Sequence, residues 1–128
     1  MTYPGDCKYT KEHEWIRVEG ATAVIGVTKY AIEQLGDVVH LDLPKVGAVL
    51  KAHDTFGTIE STKTVSDLYS PAAGTVAEVN ASLVDSPESI AEDPYVKGWL
   101  IKVTLDGTPA GLMSAAEYEK YVSEDSSH

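Results

Sequence analysis

The sequence predicts a mostly β domain, and three observations predict it. Glycine and proline recur at short intervals along the chain. Between them lie short runs rich in Val, Ile, Thr and Tyr, residues that suit a pleated, half-buried surface. Helical spacing of apolar residues shows only in brief stretches.

Trp15 to Val18 forms a first strand ahead of the turn residues Glu19-Gly20, and Ala23 to Val27 returns as its hairpin partner. Thr28 caps a short helix in which Ala31, Ile32 and Leu35 repeat at helical spacing, with Gly36 at the C-cap. Val39, Leu41 and Leu43 alternate with His40 and Asp42, which predicts a half-buried strand ended by Pro44. Gly47 opens the next turn. Thr55 to Glu60 then leads into the polar turn Ser61-Thr62-Lys63-Thr64, and the chain returns through Val65 to Leu68. Ser70-Pro71 and Gly74 precede a further strand from Thr75 to Val79.

Ser86-Pro87 reads as a cap with proline at the first helical position, and Asp93-Pro94 stops that helix. Gly98 to Leu105 is a strand with Trp99, Ile101, Val103 and Leu105 on one face, and Asp106-Gly107 turns the chain. Ser114 and Glu117 form a capping box that starts a helix with an apolar stripe of Tyr118, Tyr121 and Val122. Ser123 to His128 is polar and expected to fray.

The 128 residues suit a single domain, with its core over about 8–122 and flexible ends. No apolar run approaches the roughly 20 residues of a membrane span. The N-terminal residues carry neither a secretory signal nor an Arg-rich transit pattern, so a cytoplasmic protein or a processed organellar one is expected. A formal charge of −10 argues against binding nucleic acid, which runs on cationic side chains neutralising phosphates. It favours solubility and partners with basic docking surfaces.

Little in the chain suggests catalysis. The four histidines, His13, His40, His53 and His128, show no metal-ligand spacing. There is no Gly-rich phosphate loop and no G-x-S-x-G elbow. The acidic pairs Glu12/Glu14 and Asp85/Glu88 could serve acid–base chemistry, but such pairs are common in so acidic a chain. Cys7 is the only cysteine and reads as an ordinary thiol near a loose terminus. Lys63 sits between two predicted strands among small and branched neighbours, Glu60-Ser61-Thr62-Lys63-Thr64-Val65-Ser66. On physical grounds it is either a solvated turn lysine or a lysine that another enzyme can reach and modify.

A resemblance bears on that choice. Glu60-Ser61-Thr62-Lys63, followed by Ser66-Asp67-Leu68-Tyr69-Ser70-Pro71 and Gly74, resembles the lipoylation segment of glycine cleavage H proteins. Further segments match that family in order. They include Tyr9-Thr10-Lys11-Glu12-His13-Glu14-Trp15, Ile25-Gly26-Val27-Thr28 and Leu35-Gly36-Asp37-Val38-Val39. Later come Asp85-Ser86-Pro87, Glu92-Asp93-Pro94-Tyr95, Gly98-Trp99-Leu100 and Glu117-Tyr118.

The resemblance implies a flattened barrel or sandwich of two small antiparallel sheets, like a lipoyl domain, with a few short helices including a C-terminal one. It implies lipoate joined by an amide to Lys63, with Glu60, Ser61, Thr62 and Thr64 recognised around it. It further implies a non-catalytic carrier whose partners are a pyridoxal-phosphate glycine decarboxylase, an aminomethyltransferase, dihydrolipoyl dehydrogenase and lipoate-attaching enzymes. A monomer is the default. Glu14 and Asp67 match positions near the aminomethyl nitrogen, and otherwise read as solvated surface acids.

Two departures stand out: Thr62, Thr64 and Val65 occupy positions often held by Val and Ala, and His40 a position commonly aromatic. Two other lipoyl carriers remain open, an H-like protein that relays lipoyl groups and a lipoyl domain of another complex. The threonine flanks weigh against a biotinyl domain.

Overall fold

The computed structural model describes residues 4–109 and 111–126, with side chains described as far as residue 124. Its strands are β1 (Lys8–Tyr9), β2 (Glu14–Glu19), β3 (Thr22–Val27), β4 (Val38–Asp42), β5 (Val49–Leu50), β6 (Thr55–Ser61), β7 (Val65–Tyr69), β8 (Gly74–Val79) and β9 (Ile101–Leu105). All pair antiparallel, in one sheet ordered β1-β2-β3-β9-β8-β5 and a second ordered β4-β6-β7. Neither sheet closes on itself among the described residues, so of the expected flattened barrel or sandwich the structure is the sandwich.

Strands β2 and β3 serve two cores. Ile16, Ala23, Ile25 and Val27 face a core shared with Leu41, Ile59 and Leu68 of the smaller sheet. Trp15 and Val24 face the other way, into a second cluster with Tyr9, Tyr118 and Val122. This is why β3 reads as a continuous apolar run: it is covered on both faces. Gly26 has to be glycine, because a Cβ there would lie 2.6 Å from the Trp15 indole.

Among the described residues the α-helices are α1 (Lys29–Leu35), α2 (Ala81–Asp85) and α3 (Ala115–Ser126). Thr28 caps α1, its hydroxyl accepting from the Ala31 amide at 3.2 Å. The box at α3 forms in both directions: Ser114 N–H donates to Glu117 Oε1 at 2.9 Å, and Glu117 N–H donates to Ser114 Oγ at 3.2 Å.

Several local expectations are corrected. The β4 register shifts between Val38 and His40, so Val38 and Leu41 are buried while Val39 is 49 % exposed. A bulge breaks strict alternation, and Val39 therefore does not share a face with Leu41. The last strand begins at Ile101, not Gly98. Trp99 packs against the second cluster, while Leu100 and Ile101 both enter the first, because residues 94–98 form turns in which strand alternation does not hold. The Ser86-Pro87 segment is a 3₁₀ helix, Pro87–Ala91, in which Ser86 makes no side-chain cap bond. The preceding α2 carries no strong sequence signal. The polar stretch from Ser123 begins inside helix α3, which extends through Ser126; residues 127 and 128 of the expected tail lie outside the described residues. Cys7 is not loosely placed, being 1 % exposed within the second cluster.

Candidate functional site

Strands β6 and β7 form a hairpin whose turn is Thr62-Lys63-Thr64. Ser61 ties the turn together. Its N–H donates to the Thr64 carbonyl at 2.8 Å, and its Oγ accepts from the amides of Lys63 at 3.1 Å and Thr64 at 3.2 Å. The Thr62 amide donates to the Asp37 carbonyl at 3.1 Å, which fastens the turn to the end of α1. The backbone is thus fixed while Thr62, Lys63 and Thr64 stay exposed. Gly36 follows α1 at φ 84°, and a Cβ on it would lie 3.5 Å from Lys63 Cε, so the lysine side chain crosses this glycine. Glu60 is half-buried and pairs with Val65 on β7 and His40 on β4.

Beside the turn lies a cleft of about 310 Å³ between α1 and the β2 and β7 strands. Thr64, Ser66, Asp67 and Leu68 line it from the hairpin, Tyr30, Ala31, Gln34 and Leu35 from α1, and Glu12, His13 and Glu14 from the start of β2. The volume falls at the low end of the range for small-ligand pockets. The structure thus brings Thr64, Asp67 and Glu14 together in one cleft; Glu60, Ser61, Thr62 and Lys63 stand outside its lining.

Glu14 is the unusual group. It is 1 % exposed, yet no cation pairs with it among the described residues. Its Oε1 accepts from the Thr10 hydroxyl at 2.8 Å and its Oε2 from the Tyr69 amide at 3.3 Å. Burial pushes its carboxyl up to about 8; the nearby Glu12 charge adds to this, and the two donors only partly oppose it. Asp67, by contrast, is exposed. The cleft therefore offers an apolar wall, one buried acid that holds a proton near neutrality, and one solvated acid. Such a site suits a slender apolar group that ends in a cation.

His13, Tyr30 and Gln34 also line the cleft, and no motif in the sequence marks them for it. His13 carries a left-handed backbone at φ 71°, and nothing in the local sequence signals it. Tyr30 and Gln34 could have been found from helical spacing, since they flank Ala31 and Leu35 on one turn of α1.

A family model described as glycine cleavage H-protein matches residues 7–125. The chain is 49 % identical over 122 residues to the glycine cleavage system H protein of Herpetosiphon aurantiacus, covering 95 % of each chain. It is 51 % identical over 122 residues to the one from Thermosynechococcus vestitus, covering 95 % of this chain and 96 % of that protein. The crystal structure of a glycine cleavage system H protein from Mycobacterium marinum superposes with a TM-score of 0.90 at 42 % identity, covering 94 % of this chain and 99 % of that one.

Proposed function

Because the chain belongs to the glycine cleavage H-protein family, we propose that it is the lipoyl-bearing shuttle of the glycine cleavage system, with lipoate joined by an amide to Lys63. It carries the aminomethyl group from the glycine decarboxylase to the aminomethyltransferase and presents its arm to dihydrolipoyl dehydrogenase. It is a carrier and not itself a catalyst, works as a cytoplasmic monomer, and receives lipoate from a lipoate-attaching enzyme.

One observation carries the reading: an exposed lysine on a hydrogen-bonded hairpin turn adjoins a cleft that holds a buried carboxyl with no ion-pair partner among the described residues. The residues fit lipoate. Lys63 supplies the amine. Val27, Ala31, Leu35, Ile59 and Leu68 supply an apolar wall that excludes water. When attached, lipoate would supply a disulfide able to accept the aminomethyl group on one sulfur, the electron pair left by glycine decarboxylation reducing the ring. Glu14 and Asp67 bind the ammonium end of that cargo. Glu14 holds its proton while the cleft lacks a cation, and an approaching ammonium favours the ionised carboxylate, so Glu14 gives that proton up to bulk water on binding. The hydrogen-bonded turn holds the attachment point exposed beside the cleft, and the tether raises the local concentration of the arm at each partner.

The test is intact mass spectrometry after expression with a lipoylating system. One lipoyl adduct is expected, absent from Lys63→Arg. Purified decarboxylase should then exchange the glycine carboxyl carbon with bicarbonate only when the lipoylated protein is present. An adduct on Lys63→Arg, or exchange supported by that variant, sinks the assignment. A lipoylated protein that supports no exchange points to a lipoyl relay.

A further inference from the structure

The cleft has two walls, and one hydroxyl reaches the anchor of each. Tyr118, on α3, is fully buried. Its hydroxyl lies 2.8 Å from His13 Nδ1 and 2.7 Å from Thr28 Oγ1. His13 lines the cleft next to Glu14. Thr28 is the N-cap of α1, the helix that forms the opposite wall through Tyr30, Ala31, Gln34 and Leu35. The two anchors also meet through the backbone, where the Thr28 amide donates to the His13 carbonyl at 3.0 Å.

His13 needs holding. Its left-handed backbone is disfavoured for a residue with a Cβ, so the surrounding structure has to maintain it. Packing on that side is aromatic: the His13 ring lies 4.9 Å from Tyr30 and 6.0 Å from Tyr121, centroid to centroid. Tyr118 itself is stacked on Tyr9 at 4.8 Å. Helix α3 thus presses its aromatic face on the His13 wall and supplies the polar bridge to the α1 wall.

We propose that Tyr118 and His13 are positioning residues for the cleft, and that through their bridge to Thr28 the C-terminal helix sets how long the aminomethyl-loaded arm is retained there. The inference rests on the reading of Lys63 as the lipoyl carrier and of the cleft as the seat of the loaded arm. Loss of the cargo to water consumes one water and yields the free thiol, formaldehyde and ammonium. The retention time can therefore be read from ammonia release without any partner enzyme.

The experiment loads lipoylated protein with glycine and decarboxylase, removes the enzyme and follows ammonia over time. Tyr118→Phe keeps the ring stacked on Tyr9 and removes only the hydroxyl; His13→Ala removes the other end of the bridge. Both should release ammonia about fivefold faster, the scale set by one lost hydrogen bond. His13→Asn keeps a polar atom near the Nδ1 position and tolerates the left-handed backbone, and should return the rate to within about twofold of the parent. Val122→Ala loosens the same helix without touching the hydroxyl, and should keep the parental rate despite a lower melting temperature. Parental retention in Tyr118→Phe, equal release from Val122→Ala, or no rescue by asparagine would overturn the inference. A parent protein that cannot be lipoylated and loaded overturns instead the carrier reading beneath it.

Discussion

The Oγ of Ser61 lies 3.1 Å from the backbone nitrogen of Lys63 and accepts its hydrogen. The same oxygen accepts from Thr64 N–H at 3.2 Å, so one serine organises the whole turn. The lysine side chain is exposed while its backbone is held. If Lys63 carries lipoate as proposed, its attaching enzyme meets a preformed loop and has little ordering entropy to overcome.

Ser61→Ala removes an acceptor from two amides at once. We expect a stability loss of about 1–2 kcal/mol, since Ser61 is buried and its backbone bond to Thr64 survives. Lipoylation of Lys63 should slow several-fold while still going to completion. Thermal unfolding and a mass-resolved time course check both; an unchanged attachment rate would show that the ordered turn is irrelevant to the attaching enzyme.

Gly36→Ala tests the other side of the turn. Gly36 sits at φ 84°, ψ −136°, a region that side chains disfavour strongly. The substitution should cost about 1–3 kcal/mol. Its new Cβ would also meet Lys63 Cε at 3.5 Å, an ordinary contact, so the lysine should remain modifiable. A lower melting temperature with full lipoylation is the expected pair of results.

Much of this fold was legible because local and tertiary preferences agree. Thr28 and Gly36 bracket α1, and Ser114 with Glu117 start α3, by rules confined to a few neighbouring residues. The hairpin around Lys63 announced itself as two strands and a polar turn. The failures share a cause. Val39 was misplaced by a bulge, Trp99 by a turn preceding its strand, and Cys7 by a cluster assembled from distant segments. Each depends on partners that periodicity does not contain. The cleft was the least legible part. The resemblance pointed to Glu14 and Asp67, but His13 joins them only through a left-handed backbone and a tyrosine 105 residues away.

Cys7 should be inert in the folded protein. Burial, reinforced by the neighbouring Asp6 charge, pushes its thiol up to about 11, and the opposing Arg17 charge does not offset this. A thiol reagent at pH 8 should label the native chain far more slowly than the chain in denaturant. Equal rates would mean that the N-terminal segment opens readily and that β1 is not held by α3.

Glu14 makes stability fall with rising pH. In the unfolded chain its carboxyl loses a proton near the usual value of 4.5, whereas in the folded protein it keeps that proton to about 8. Between those limits the folded state binds more protons, so unfolding becomes easier as pH rises, and above about 8 the effect levels off. At about 1.4 kcal/mol per unit the full window corresponds to a few kcal/mol. Glu14→Gln keeps the shape and removes the titration. It should match the parent near pH 5 and become the more stable of the two by pH 8–9, because its oxygen can keep the Tyr69 N–H while the Thr10 hydroxyl rotates to accept from its NH2. The same variant lacks the carboxylate proposed to bind the cargo ammonium, so it should release ammonia from the loaded arm faster even where it is the more stable protein. Chemical denaturation at several pH values, paired with the ammonia assay, separates the two effects. Parallel stability curves for parent and variant would show that Glu14 ionises normally in the folded chain, and the proton exchange assigned to it would then have no basis.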